Sequence, residues 1–341
     1  MLNKLLLFCT ALFLGNLLAK MHLPIPYMLG GIGTALLCKA FAGSAEISWP
    51  EKLRSMGLMV AGYGIGCSFN ADALDVFFSE FAGVAGSNAL SIGISIILAW
   101  LIARYTKINL QSCVMGMMPG GITLMMLLAE DCKKVNPNAV IVMQVIRLLG
   151  VVISVPFLVV ALLDAQVTAG NALTEHAGIH WLVFLPLAVL GTFIGKKIHL
   201  PTPKLLGTIL ATAVFSVSAG QLQPVPGILM AAAQASIGLY MGMLLDSRKL
   251  AQMKDIFWLT IISTAILIGV SIAVAIVLSE HYGFSLITAF LAMAPGGIAE
   301  MTLAGLSMGE DVGIILSYQM VRILAINLFV PPILNWYFKE R

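Results

Sequence analysis

The chain has 341 residues, of which 60% are hydrophobic and only 10% are charged, and its mean hydropathy is +0.98. An average soluble domain is about a quarter charged, so this composition excludes a soluble protein and indicates several helices in a lipid bilayer. The 19 Lys and Arg exceed the 16 acidic residues by only three, too few for a basic nucleic-acid surface, and we expect no nucleic-acid partner.

The apolar segments form two series of six along the chain. In the first half they cover approximately residues 5–19, 24–41, 55–70, 84–103, 107–130 and 138–163. In the second half they cover approximately residues 181–195, 204–221, 225–245, 256–279, 283–308 and 312–336. The fifth segment of each series carries Pro-Gly-Gly near its middle. It is either a broken helix that crosses the bilayer or a re-entrant hairpin that enters and returns.

The second series repeats the first at a nearly constant spacing, which indicates a duplicated chain. The landmarks and their counterparts are Leu23-Pro24-Ile25-Pro26 with Leu200-Pro201-Thr202-Pro203, Gly62 and Gly66 with Gly238 and Gly242, Pro119-Gly120-Gly121 with Pro295-Gly296-Gly297, and Gln144-x-x-Arg147 with Gln319-x-x-Arg322. We interpret the paired glycines of the second landmark as close contacts between helices. We predict repeat 1 over residues 1–165, an external joint over 166–180 and repeat 2 over 181–341, together one membrane domain.

The positions of Lys and Arg decide between crossing helices and hairpins, because these residues are enriched in cytoplasmic loops. If all twelve segments cross, the loops on the two faces hold nine and eight of them, which is no bias. If the two Pro-Gly-Gly segments are hairpins, sixteen lie on one face and only Lys20 on the other. The sequence therefore predicts an all-α polytopic membrane protein of two inverted-topology repeats. Each has five transmembrane helices and one re-entrant hairpin, and both termini are cytoplasmic.

The hairpin tips are the first candidate binding residues. Proline ends the incoming half-helix, and two glycines allow a sharp reversal, at Pro119, Gly120 and Gly121 and again at Pro295, Gly296 and Gly297. The outgoing half-helix then begins with unpaired N–H groups and a positive dipole end, which suit an anion. We expect hairpin 107–130 to enter from the cytoplasm and hairpin 283–308 from outside. The alternative is a pair of kinked helices packed through glycine.

Arg147 and Arg322 are the strongest single candidates. They lie nine and ten residues after the start of their helical segments, about 15 Å deep at 1.5 Å per residue, and so near mid-membrane. Gln144 and Gln319 precede them by three residues and share their helical faces. A buried arginine in a membrane usually faces a cavity or a partner. Two roles stay open, contact with an anionic substrate or a structural cap on the hairpin carbonyls.

Glu300 is the one acid predicted to lie inside the membrane, and position 124, its counterpart, is leucine. It is either a protonatable coupling group or an ion-pair partner of Arg322 or Arg147. The five cysteines are interpreted as packing residues. Apart from His176 and His180 in the polar joint, the five histidines have no metal-ligand spacing, so we expect no catalytic residue, no metal and no cofactor.

A Pro-Gly-Gly segment followed by Gln-x-x-Arg, present twice over nearly the whole chain, resembles the AbrB family of duplicated bacterial membrane proteins. The resemblance implies a location in the bacterial inner membrane. The labels of this family imply a regulator of gene expression or an ammonia monooxygenase, but the residues support neither a metal-dependent enzyme nor direct DNA binding.

These observations lead to a functional hypothesis with one alternative. The chain is expected to be a secondary transporter that carries a small, anionic solute by alternating access at the paired hairpins. The alternative is an integral-membrane sensor that regulates gene expression indirectly. The expected partners are the lipid bilayer, a small molecule or ion and, as an open possibility, further copies of the chain.

Overall fold

The computed structural model describes residues 2–41, 48–69, 81–132, 134–162, 182–219, 222–245 and 253–339. Every regular element in these ranges is helical. The helices are α1 Leu2–Ala19, α2 Pro26–Phe41, α3 Glu51–Cys67, α4 Phe81–Tyr105, α5 Leu110–Met117, α6 Ile122–Asp131, α7 Pro137–Leu162, α8 Phe184–Lys197, α9 Pro203–Ala219, α10 Gly227–Met243, α11 Lys254–Tyr282, α12 Leu286–Met293, α13 Ile298–Met308 and α14 Val312–Lys339. The predicted external joint, 166–180, lies outside the described residues.

The helix boundaries follow the spacing of the sequence repeat. Helices α5 and α12 begin 176 residues apart, at 110 and 286, and so do α6 and α13, at 122 and 298. The turns before α2 and α9 also share an uncommon backbone, because His22 and His199 both have a φ of 55°. Corresponding sequences in the two halves therefore adopt corresponding local structures, and the inverted orientation of the halves stays a prediction.

Four helices are long and apolar enough to cross a membrane, over residues 82–105 in α4, 137–161 in α7, 255–282 in α11 and 312–329 in α14. The helices in the other six predicted crossing segments, α1 to α3 and α8 to α10, have 14 to 18 residues. The fold is thus all-helical, with four candidate membrane spans in the described ranges, as expected for a helical membrane protein. The count of ten crossings stays a prediction.

The chain folds into two compact units that cut across the sequence halves. The first unit comprises residues 1–78, 156–244 and 299–314, and the second comprises 79–155, 245–298 and 315–341. Each unit contains helices from both halves. The sequence repeats and the compact units are therefore two different divisions of the same chain.

In the first unit, helices from one half of the chain pack against helices from the other half, and the paired glycines lie at these contacts. A Cβ atom added to Gly62 of α3 would lie 2.8 Å from the carbonyl oxygen of Leu205 in α9. A Cβ atom added to Gly238 of α10 would lie 2.1 Å from the carbonyl oxygen of Met28 in α2. Any side chain at these positions would force the helices apart, so the prediction of close helix contacts is confirmed.

The second unit has an apolar core built from α4, α5, α6, α7, α11 and α14. Its fully or nearly fully buried residues include Ile102, Met117, Met143, Leu267 and Ile326. Cys113 is buried in the same core, and all five cysteines are free thiols. This core surrounds the first Pro-Gly-Gly turn and holds it in place.

Candidate functional site

The first Pro-Gly-Gly sequence separates two short helices, α5 and α6. The Asn109 side chain caps α5, because its Oδ1 accepts a hydrogen bond of 3.1 Å from the backbone N–H of Ser112. After α5 the backbone becomes extended at Met118, with φ −67° and ψ 130°. Gly121 has a φ of +89°, which favours glycine, and α6 begins at the next residue. The predicted helix break lies at Pro119-Gly120-Gly121.

The second Pro-Gly-Gly sequence has the same local design. Ser285 caps α12, because its Oγ accepts a hydrogen bond of 2.9 Å from the backbone N–H of Thr288. The backbone is extended at Ala294, with φ −53° and ψ 133°, and Pro295, Gly296 and Gly297 lead into α13. Both predicted breaks are present because proline has no N–H to continue the helix, and the glycines tolerate the turn that follows.

Gln144 and Arg147 bind the carbonyl groups at the end of α5. The Nε2 of Gln144 donates to the carbonyl oxygens of Met115 at 2.7 Å and Met118 at 2.8 Å. The Nη1 of Arg147 donates to the Met117 carbonyl at 2.8 Å, and its Nη2 donates to Oε1 of Gln144 at 2.9 Å. Gln144 is fully buried and Arg147 is 4% exposed. Gln144 and Arg147 therefore donate hydrogen bonds to carbonyl oxygens that the end of the helix leaves without a backbone donor.

Gln319 and Arg322 do the same for α12, with more contacts. The Nε2 of Gln319 donates to the carbonyls of Leu291, Ala292 and Ala294 at 2.9 to 3.2 Å. The Arg322 Nη1 donates to the Ala294 carbonyl at 2.8 Å and to that of Met293 at 3.4 Å. Its Nη2 donates to the Gly296 carbonyl at 2.8 Å and to Oε1 of Gln319 at 2.5 Å.

These bonds explain how a cationic side chain is tolerated in an apolar core. The C-terminal end of a helix carries a partial negative charge, which a guanidinium group stabilises. Arg147 and Arg322 each lie at such an end, and the charge is shared with several carbonyl oxygens. The geometry supports the structural role that the sequence left open. Contact of either arginine with an anionic substrate stays a prediction.

Helices α5 and α7 run in the same direction where they touch. Hydrogen bonds join Ser112 to Asn136, Met115 to Gln144 and Met117 to Arg147. As the residue number rises along α5, the residue number of the bonded partner also rises, which is the pattern of parallel helices. The intervening α6 lies between the end of α5 and the start of α7.

The two ends of this segment are also joined. The side-chain Nδ2 of Asn109, before α5, donates a hydrogen bond to the carbonyl oxygen of Lys134, after α6. The backbone N–H of Asn136 donates to Oγ of Ser112 at 2.8 Å. The residues that precede the first tip and those that follow it therefore lie side by side.

The two arginines retain a positive charge and free donors after these bonds are made. In the described ranges, all their hydrogen-bond partners are neutral carbonyl or amide oxygens. The Nε atoms of Arg147 and Arg322 are buried without a hydrogen-bond partner. An anion could accept hydrogen bonds from the unpaired donors of either arginine.

The remaining predicted site residue, Glu300, belongs to the first unit. It lies in the first turn of α13 and is 8% exposed. In the same unit, the Arg54 guanidinium lies 4.5 Å from the centre of the Tyr240 ring. The two predicted roles of Glu300, proton coupling and ion pairing with Arg147 or Arg322, stay predictions.

Several residues near the tips were missed by the sequence reasoning. The Oγ of Ser271 donates to the Met293 carbonyl at 3.2 Å, and the Nδ2 of Asn88 donates to the Tyr318 carbonyl at 3.2 Å. Ser271 lies 176 residues after Ser95, which is also buried, so the repeat spacing could have drawn attention to this pair. The described parts of the chain contain no group of three or more residues able to hold a metal ion.

The sequence is similar to one known protein family and to two bacterial proteins. The family described as "Transition state regulatory protein AbrB" matches residues 6–338. The YhjN protein of Bacillus subtilis (strain 168) is 29% identical over 298 residues, which cover 82% of this chain and 77% of that protein. The AbrB protein of Escherichia coli (strain K12), named as a candidate regulator, is 27% identical over 247 residues, 70% of this chain and 69% of its own length.

Proposed function

The chain belongs to the family described as transition state regulatory protein AbrB, and on this premise we propose that it is a secondary transporter of a small anionic solute. Its two halves lie in opposite orientations in the bacterial inner membrane, each with five crossing helices and one re-entrant hairpin. Both termini are cytoplasmic. The solute binds at the hairpin tips and is released by alternating access, without enzymatic chemistry.

The observation that carries the proposal is the pair of buried guanidinium groups at the Pro-Gly-Gly turns. Arg147 and Arg322 are 4% and 1% exposed, and each keeps an unpaired Nε donor. A charge inside a membrane protein is costly and usually marks a solute pathway or an ion partner. Since the described partners of both arginines are neutral, the site favours a ligand with negative charge.

The contacts around the first tip favour a re-entrant hairpin over a broken helix that crosses the membrane. Helix α5 has 8 residues, about 12 Å of length, which is less than half the roughly 30 Å of a bilayer core. Because α5 and the start of α7 are parallel, α6 has to return to the level at which α5 began. The hydrogen bond between Asn109 and Lys134 is in keeping with that return.

Vesicle transport tests the proposal. The purified chain is reconstituted in liposomes, and uptake of a panel of radiolabelled small anions is compared between the wild type and the Arg147→Gln and Arg322→Gln variants. We expect uptake of at least one anion by the wild type and its loss in Arg147→Gln at equal protein content. The matched control is Arg104→Gln, because Arg104 is exposed at the end of α4, beside Trp100, and loses the same charge.

Two results would contradict the proposal, the first its transport activity and the second its binding site. The first is an absence of uptake for every anion in vesicles that contain folded wild-type protein. The second is an equal loss of uptake in the Arg104→Gln control, since this would trace the effect to charge in general. If the arginine variants lose only protein abundance, the structural role of the arginines alone accounts for them.

The name of the Escherichia coli relative provides the competing proposal, a membrane regulator. Such a protein would bind the same anion at the tips but would not move it. Wild-type vesicles that bind the anion without accumulating it, together with an altered expression of other genes in a deletion strain that Arg147→Gln fails to complement, would favour the regulator.

A further inference from the structure

The two hairpin tips differ in how completely the protein itself satisfies their donors. In the described residues Arg147 makes two hydrogen bonds, one from each Nη atom. Arg322 makes four, to three backbone carbonyls and to Gln319. A guanidinium group has five N–H donors, so Arg147 keeps more of them for a further acceptor than Arg322 does.

The helices that leave the tips also differ. Helix α6 has no side-chain cap at its N-terminus and no acidic residue in its first turn. Helix α13 has Glu300 in its first turn. Glu300 is the third residue of α13, and the third residue of α6, 176 positions earlier, is Leu124. An acid at this position can reach back to the unpaired N–H groups of its own helix.

The space around the two tips also differs, and the first tip has more of it. Gly121 is exposed, and a Cβ atom added to it would have no atom of the described residues within 4 Å. Its counterpart Gly297 is half-buried, whereas Gly120 and Gly296 are both buried. The first tip thus has room beside an uncapped helix N-terminus, and the 96% buried Arg147 with its unpaired Nε lies at the same turn.

We infer that the first hairpin tip, formed by Gly120, Gly121 and the first turn of α6 beside Arg147, is the site that binds a small oxyanion, whereas Glu300 supplies a tethered carboxylate to the corresponding helix end of α13. The inference rests on the proposed function and assigns its solute to one tip of two. The ligand is a carboxylate or phosphate group, because both match N–H donors at a helix end and a guanidinium fork. The second tip is the structural copy.

A tethered carboxylate placed at the first tip should therefore compete with the solute. Leu124→Glu puts an acid at the position that Glu300 has in α13. Leu124→Gln is the matched control, since it has nearly the same shape without the charge. Glu300→Gln removes the tethered acid of the second copy.

Binding is measured on the full chain in detergent micelles by equilibrium dialysis with radiolabelled acetate and, separately, with inorganic phosphate, at constant ionic strength in chloride. Folding is checked by size exclusion and thermal melting. We expect Leu124→Glu to weaken binding of the preferred probe by about tenfold or more relative to Leu124→Gln. Glu300→Gln should bind at least as well as the wild type. Preference for acetate identifies a carboxylate ligand, and preference for phosphate identifies a phosphate ligand.

Equal binding by Leu124→Glu and Leu124→Gln overturns the inference, as does loss of binding in Glu300→Gln. A wild type that binds neither probe overturns the oxyanion assignment. If Leu124→Glu does not fold, single cysteines in a cysteine-free chain test the inference instead. The preferred probe must slow the alkylation of Ile122→Cys, at the start of α6, and leave the alkylation of Ile298→Cys, at the start of α13, unchanged. Binding at the first tip without uptake by vesicles leaves this inference intact and removes only the transport function.

Discussion

The second Pro-Gly-Gly turn is held by more side-chain hydrogen bonds than the first, although each is followed by Gln-x-x-Arg. Arg322 donates to three backbone carbonyls, and Arg147 donates to one. Glu300 lies at the start of α13, where α6 has leucine. The difference teaches that a duplicated turn can keep its helix break and its glutamine–arginine cap while the contacts of the two turns diverge. Comparison of matched substitutions in the two copies therefore separates stability from binding.

The largest expected effect is on stability and comes from the arginines. Arg322→Gln removes the hydrogen bonds to the buried carbonyls of Ala294 and Gly296, of which Ala294 keeps its bond from Gln319, and we expect a loss of about 2–4 kcal/mol in the free energy of unfolding. Arg147→Gln removes one backbone contact, to Met117, and should cost about 1–2 kcal/mol. Thermal and denaturant unfolding in the same detergent measures both. A larger loss for Arg147→Gln than for Arg322→Gln would reverse the comparison.

A smaller effect is expected at the last glycine of each turn. Gly121 has a φ of +89°, whereas Gly297 does not have a positive φ. Alanine at 121 therefore has a backbone cost of about 1–2 kcal/mol, which alanine at 297 avoids. Melting temperatures of Gly121→Ala and Gly297→Ala measure the difference. Equal melting temperatures would indicate that the two turns have the same backbone.

The smallest effect concerns the helix caps at the start of the hairpins. Asn109 caps α5 and Ser285 caps α12 in the same way. Alanine at either position should cost about 1 kcal/mol. Because the two caps are equivalent, we expect the losses to agree and the two copies to differ only at their tips. A much larger loss for one cap, measured by denaturant unfolding, would place an asymmetry at the hairpin entrance.

The sequence was sufficient to predict the helix breaks and the partners that share a helical face. Proline and glycine restrict the backbone locally, so Pro119-Gly120-Gly121 and Pro295-Gly296-Gly297 could be recognised without a structure. The paired glycines also predicted their helix contacts, since a missing Cβ is useful only where two backbones meet. The all-helical fold of a membrane protein followed from composition alone.

The sequence could not predict the division into two compact units or the identity of the cap contacts. The units join helices from both halves, and such long-range packing leaves no local pattern. The role of Gln144 as a cap on Met115 and Met118 depends on the parallel course of α5 and α7, which only three-dimensional contacts reveal. The same holds for Ser271, whose hydroxyl reaches the end of α12 from another helix.

Cysteine accessibility tests the opposed hairpins most directly. Single cysteines at Lys107 and Asn138, which flank the first hairpin, and at His281 and Glu310, which flank the second, are placed in a cysteine-free chain and treated with a membrane-impermeant maleimide in intact cells and in inverted vesicles. The account predicts that positions 107 and 138 react only from the cytoplasmic face and that positions 281 and 310 react only from the outer face. Reaction of 107 and 138 from opposite faces would mean that the segment crosses the membrane, and it would contradict the paired hairpins.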